Sequence, residues 1–328
     1  MSKKIIINAD DFGVIPSVND AVIDAVLAGK VNSTAAFSNY KDSVANVKDL
    51  LQKATTAGKP VDIGTHLTIS SGSPILDETK DPAFGLCDKN GRFKSFTELS
   101  NDAINTTVLR KELLAQVEQF TSNGIPIKHL SCHHNTLTAF EKLFKVYVDV
   151  AQETQLKMRS VAIEPSMKNN LYVKVFLGIK LRDDNTRDDM RDMRQFLTEI
   201  KTKFVEYSNN AVKTPGYLES AHYGPLPMVA IRKTAFDKQI SDKKAELKDI
   251  LTRFSQSSDG SMELMVHLRK GDVSIWDRYE KEVEETGYQG IDPKYFDSRV
   301  VEFQSLMQSD LTALFSSYGS AMASWDDL

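Results

Sequence analysis

Cysteine is almost absent. Cys87 and Cys132 are the only two in 328 residues, too few for a disulfide framework. Long apolar runs are missing as well, and none approaches the roughly 18 residues of a membrane span, so a membrane partner is not expected. The start, Met1-Ser2-Lys3-Lys4, leads directly into a strand-like run and offers no separate apolar signal region. Charge of one sign is not in excess. The formal net charge of −4 gives no general attraction for nucleic acid or anionic membrane. No repeat, low-complexity tract or linker forces a domain cut. These absences lead to the expectation of a soluble, cytoplasmic protein. Its composition, 41% hydrophobic and 26% charged, suits one large core.

Apolar runs at 4–10, 34–40, 62–68, 127–134, 157–163 and 261–268 read as core strands. Helical patterns separate several of them. Val18, Val22, Val26 and Leu27 form one apolar face after Pro16-Ser17, with Gly29 as its stop. Leu113, Val117 and Phe120 form a second, ended by Asn123-Gly124, and Leu143, Val146, Val150 and Ala151 form a third. Strands alternating with helices predict an α/β fold with a parallel sheet and right-handed crossovers. The whole chain, 1–328, is read as a single catalytic domain with insertions at 69–100, 164–213 and 272–297. Asn90-Gly91 marks a hairpin turn in the first insertion. The second is densely charged from Arg182 to Arg194; the third carries Trp276, Tyr279, Tyr288, Tyr295 and Phe296. These aromatics either stack on sugar rings or simply pack.

The first strand ends in two acids and a turn, Asn8-Ala9-Asp10-Asp11-Phe12-Gly13. Carboxylates at the C-terminal end of a buried strand are where α/β proteins place their chemistry. Side chains alternate along a strand, so the two acids are expected to leave it in different directions, one free to hold a metal and the other to act as a base. Five of the six histidines lie in or at the ends of apolar strands: His66, His129, His133, His134 and His267. Parallel neighbouring strands would bring such ends together. One carboxylate and two imidazoles make a three-ligand set for a catalytic divalent cation, with positions left for water and substrate.

The opening hexapeptide resembles the signature of the YdjC-like carbohydrate (chito-oligosaccharide) deacetylases. The resemblance continues through Val31-Asn32-Ser33-Thr34-Ala35, Gly64-Thr65-His66-Leu67-Thr68 and the His129-to-His134 segment. It extends to Thr214-Pro215-Gly216-Tyr217, Tyr223-Gly224 and Glu263-Leu264-Met265-Val266-His267. It implies a distorted TIM-like (β/α) barrel and removal of an N-acetyl group from an amino-sugar oligosaccharide, chitobiose-like and in some cases phosphorylated. It further implies that Asp11, His66 and His133 hold one divalent metal, that Asp10 is the general base and that His267 is the general acid. Arg159, Tyr223 and Glu263 are the candidate substrate contacts, with a salt bridge inside the barrel as the alternative for Arg159 and Glu263. Mg²⁺ is the ion attributed to the family, whereas a two-histidine site chemically suits Zn²⁺ or another transition ion. The expected partner is a small oligosaccharide, and a homodimer is left open.

Two departures from the family pattern stand out. Relatives commonly read Asp-Ser-His-x-His-x-His where this chain has Ser131-Cys132-His133-His134-Asn135-Thr136-Leu137, and proline usually follows the late histidine where this chain has Leu268. Strand alternation points Cys132 away from the site, into packing. Two rival readings accompany the deacetylase: a hydrolase cleaving the glycosidic bond of a phosphorylated disaccharide, and a non-catalytic sugar-binding protein with a relic metal site.

Overall fold

A computed structural model of the protein describes residues 2–95, 98–99, 103–161, 193–220, 236–271, 276–288 and 296–328. Among the described residues there are eight strands, β1 Lys3–Phe12, β2 Ser33–Ala36, β3 Asp62–Leu67, β4 Ile127–Cys132, β5 Lys157–Met158, β6 Tyr217–Ser220, β7 Ser261–Val266 and β8 Ser320–Met322. The order across the sheet is β5-β4-β3-β2-β1-β7-β6, with β8 paired to the start of β1, and every pairing is parallel. The sheet curls into a half-barrel surrounded by helices. Its two edges approach each other where the Met158 N–H bonds the carbonyl of Lys213, just ahead of β6, at 3.0 Å. This is the α/β fold with a parallel sheet that the strand–helix alternation predicts, in the distorted TIM-like form that the family resemblance implies.

Local signals explain the helices. Pro16 opens the helix Pro16–Leu27, where its fixed φ is pre-organised and its missing N–H costs nothing. Gly29 follows the end of that helix at φ +66°. The side chain of Asn105 caps the helix Thr106–Thr121 by accepting from the N–H groups of Thr107 and Val108. Two strands are shorter than their apolar runs suggest: 34–40 is extended only over Ser33–Ala36, and the described part of 157–163, which ends at 161, only over Lys157–Met158. β6 and β8, only four and three residues long, lie outside the apolar runs read as core strands.

The outward side chains of β1, including Ile5, Ile7 and Ala9, join a core with the helices Pro16–Leu27, Ser43–Thr56 and Phe236–Gln256. A second core lies around Thr106–Thr121 and Glu141–Thr154. Full burial of each large aliphatic side chain is worth about 1.5–3 kcal/mol, so these layers hold the curled sheet that aims the strand ends.

The N-terminal end of the barrel is plugged. Trp325 is fully buried, stacks on His129 at 4.0 Å with the rings 5° from parallel, and donates its indole N–H to Ser33 Oγ at 2.9 Å. Gly64 makes room for the His129 ring, since a Cβ there would meet it at 2.3 Å. The fully buried imidazole of His129 is held well below its ordinary pKa by that burial and then by the nearby Arg159 charge.

The first insertion is pinned down. Glu112 accepts from the N–H groups of Ile75 and Leu76, and Asp88 and Arg92 close a turn around Asn90-Gly91. In the second, Met193–Ser208 is a helix, and 162–192 lie outside the described residues. In the third, Trp276–Thr286 is a helix. Among the described residues no helix is long and apolar enough to cross a membrane.

Candidate metal centre

With all strands parallel, Asp10, Asp11, His66, His133 and His267 come to the same C-terminal end of the sheet. His66 lies on β3, His133 follows β4 and His267 follows β7. His66 and His133 reach the centre from the strand pair that aligns His66 with Ser131. The two residues after His133 take left-handed backbone, with φ +55° at His134 and +50° at Asn135, and so turn the chain off the strand.

Asp11 arrives by a different route. Plain alternation would turn it outward with Ile7 and Ala9. Instead the register with β2 slips between Ala9 and Phe12, and Asp11 adopts φ +66°. A bulge of this kind re-aims a side chain, and Asp is among the few non-glycine residues that tolerate positive φ. Asp10 and Asp11 therefore both serve the barrel's C-terminal end, each with its own set of partners.

Asp11 Oδ1 lies 3.3 Å from His66 Nε2 and 3.1 Å from His133 Nδ1, and those two nitrogens are 3.2 Å apart. Bonds of about 2.1 Å would set ligand atoms about 3.4 Å apart in a tetrahedral site and about 3.0 Å apart in an octahedral one. The observed triangle falls between these values. Although buried and flanked by two ring nitrogens, Asp11 Oδ1 accepts no hydrogen bond. Three potential ligand atoms that converge this closely, the carboxylate oxygen among them accepting no hydrogen bond, fit a cation. Among the described residues this is the one such group.

Groups around the triangle fix its members. Ser131 Oγ lies 2.7 Å from His66 Nδ1, where it can accept the N–H and leave Nε2 as the ligand. The serine standing where the family pattern has an acid thus still partners an imidazole of the triangle. Asp11 Oδ2 accepts from Arg299 Nη2 at 2.6 Å and from Tyr288 Oη at 3.1 Å. Burial works against ionisation of Asp11, but the Arg299 guanidinium beside it holds the carboxyl well below its ordinary range. Phe37 sets its ring edge-on to both imidazoles, 5.0 Å from His66 and 4.8 Å from His133. Half-buried His134 lies against the His133 ring at 3.7 Å, its Nδ1 3.1 Å from Ser70 Oγ.

Asp10 belongs to a second network. Arg159 donates from Nη1 to Asp10 Oδ2 and from Nη2 to Asp10 Oδ1, both at 2.7 Å, and Asn8 Nδ2 donates to Oδ1 at 2.9 Å. Arg159 also donates to Glu263 Oε1, from Nε at 2.9 Å and from Nη2 at 2.7 Å. Burial works against the Arg159 charge, yet Asp10 and Glu263 hold its pKa well above the ordinary value. Burial pushes the Glu263 carboxyl up in spite of that guanidinium. Of the two alternatives for Arg159 and Glu263, substrate contact or an internal salt bridge, the salt bridge is what the structure contains. His267 Nε2 stands 3.8 Å from Asp10 Oδ2.

Tyr223 and Tyr295 lie outside the described residues. Tyr288 is buried and spends its hydroxyl on Asp11, so of the two alternatives for the aromatics it takes packing. Leu137, where the family pattern has its last histidine, is fully buried in the second core. Cys132 faces packing as alternation requires. Its Sγ accepts from the Leu137 N–H at 3.2 Å, and burial pushes its thiol up to about 11. Sequence reasoning missed Arg299 entirely and gave Tyr288 no role at Asp11. Their only local signal is a cation and a phenol in a C-terminal region of ordinary polarity.

A family model described as "YdjC-like protein" matches residues 4–317. A carbohydrate deacetylase of Listeria monocytogenes serotype 4b is 34% identical over 135 residues, 40% of this chain and 51% of the relative. One from Thermoanaerobacter pseudethanolicus is 25% identical over 224 residues, 66% of this chain and 86% of that one. The chain thus spans about half the length of the Listeria relatives it matches. Among solved structures, a "putative cellobiose-phosphate cleavage protein" from Enterococcus faecalis V583 shares the fold with a TM-score of 0.68. It is 21% identical, and the match covers 100% of this chain and 99% of that one.

Proposed function

The chain belongs to the YdjC-like protein family, and from that premise and the site geometry we propose that it is a metal-dependent carbohydrate N-deacetylase. The single observation that carries the reading is the triangle of Asp11 Oδ1, His66 Nε2 and His133 Nδ1, with sides of 3.1–3.3 Å and no hydrogen bond to Oδ1. The names of the Listeria and Thermoanaerobacter relatives support the reaction class.

The reaction is hydrolysis of the N-acetyl group of an amino sugar in a short, chitobiose-like oligosaccharide, with phosphorylated forms among the substrates. A divalent ion held by the triangle supplies polarisation of the amide carbonyl and acidification of the attacking water. Asp10 takes that water's proton. Arg159 and Asn8 occupy both lone pairs of Oδ1 and one of Oδ2, which leaves Oδ2, on the side of His267, as the basic atom. The water oxygen bonds to the acetyl carbon, the C–N bond breaks, and His267 gives its proton to the departing nitrogen. Acetate and the free amine are the products. Glu263 acts at one remove, by holding Arg159.

Glycosidic hydrolysis is the weaker alternative, because it calls for two carboxylates flanking the sugar. Here Asp10 and Asp11 are chain neighbours, each committed to an arginine. The deciding experiment measures acetate release from N-acetylated oligosaccharides, with and without phosphate, after chelation and re-addition of single metals. Metal-restored acetate release is the expected result. Cleavage of the disaccharide without acetate, or turnover indifferent to chelation, would overturn the proposal.

A further inference from the structure

The two oxygens of Asp11 do different work. Oδ1 faces the two imidazoles, while Oδ2 is taken up by Arg299 Nη2 at 2.6 Å and Tyr288 Oη at 3.1 Å. All three residues are buried: Asp11 is 1% exposed, Tyr288 4% and Arg299 6%. The donors reach Asp11 from 277 and 288 residues further along the chain, so the contact is made by tertiary packing alone. The carboxylate they grip also sits on the left-handed residue of a bulge, a conformation that persists only where its surroundings hold it.

We propose that Arg299 and Tyr288 form a clamp that confines Asp11 to one-oxygen ligation and thereby sets which cation the site accepts. The inference rests on the metal-site reading above and concerns the choice of ion within it. With Oδ2 occupied, the two-oxygen carboxylate binding that Ca²⁺ commonly uses is blocked. The guanidinium shares the charge of the only carboxylate in the triangle, so little net negative charge remains to hold a hard ion such as Mg²⁺. The remaining donors are two imidazole nitrogens, which favour transition ions. The clamp thus biases the site toward a Zn²⁺-like ion, and Arg299 and Tyr288 are positioning residues for that bias.

The test is a set of dissociation constants for Zn²⁺, Mn²⁺, Mg²⁺ and Ca²⁺, measured on chelator-stripped full-length protein by competition with a fluorescent chelator. Wild type is expected to rank Zn²⁺ first. In Arg299→Met, Oδ2 is released, and the preference for Zn²⁺ over Mn²⁺ should fall by at least about tenfold, within the range typical of lost outer-shell partners. Arg299→Lys keeps the charge and should recover part of the preference, while Tyr288→Phe should lower it by a smaller factor. Loss of packing alone would weaken all ions together and leave the ratio unmoved. An unchanged ratio in these variants overturns the clamp. Should Arg299→Met fail to fold, the ratio in Tyr288→Phe decides. If wild type binds no divalent ion at all, the metal-site reading fails and the clamp with it, which is a different outcome from an unchanged ratio.

Discussion

Arg159 grips both carboxylate oxygens of Asp10, Nη1 on Oδ2 and Nη2 on Oδ1, each at 2.7 Å, and shares its remaining reach with Glu263. One buried cation therefore serves two buried carboxylates across the barrel. Removing one partner of such a network leaves uncompensated charge, at a cost of about 3–5 kcal/mol. Arg159→Met should lower stability by that amount in chemical denaturation. Arg159→Lys keeps the charge but loses the planar fork. It should remain folded and metal-loaded, with kcat reduced at least about tenfold because Asp10 is no longer oriented.

Asp10 and His267 are expected to separate from the metal ligands in their effects. Asp10→Asn keeps shape but cannot take a proton at neutral pH, and His267→Ala removes the proposed donor. Each should lower kcat by roughly 10²–10⁴-fold near pH 7 with metal content unchanged. Metal analysis beside the rate assay checks both halves. Loss of metal from Asp10→Asn would make Asp10 a ligand, and a drop of less than about fivefold in His267→Ala, far below the usual acid–base contribution, would make His267 a packing residue.

Ser131→Ala removes the partner of His66 Nδ1, which lies 2.7 Å away. Outer-shell partners of this kind are worth about 10–100-fold in metal affinity, and the variant should bind its ion more weakly by that factor. Ser131→Asp, which restores the acid of the family pattern, should bind at least as tightly as wild type. Equilibrium dialysis with metal analysis measures both, and an unaltered affinity in Ser131→Ala would show that the contact does not matter.

The two thiols give a pH signature. Burial pushes Cys132 up to about 11 and Cys87 up to about 12, from an ordinary value of 9.0. For acids whose folded pKa is raised, the stabilising contribution is fully present below the unfolded value and lost as pH climbs through the folded one. Stability from these groups should hold up to about pH 9 and decline between about pH 9 and 12. Replacing both cysteines with alanine should flatten that decline. Native protein at pH 8 should resist thiol-specific reagents and be labelled only after unfolding.

Much of the candidate site was legible in the sequence because its signals are local. A β-branched run that ends in Asp10-Asp11-Phe12-Gly13 announces both a strand and the place where it stops being apolar. His66, His133 and His267 likewise mark the ends of strands whose parallel pairing gathers them. The long strands and the helices Pro16–Leu27, Thr106–Thr121 and Glu141–Thr154 follow from periodicity and caps for the same reason. β6 and β8, at four and three residues, are too short for a period to register.

Only the tertiary structure decided which oxygen of Asp11 faces the imidazoles. The positive φ at Asp11 belongs to a register slip against another strand, and Arg299 and Tyr288 close on its second oxygen across more than 270 residues. The same holds for the pairing of Arg159 with Asp10 and Glu263, since its sequence neighbourhood allows either a substrate contact or a salt bridge. The sequence by itself determined the inventory of chemical groups and the strand ends that carry them, because side-chain type and backbone period are local properties. Charge pairing in a buried interior is not local. It is settled by which groups the closed sheet leaves within about 3 Å of one another once water is gone.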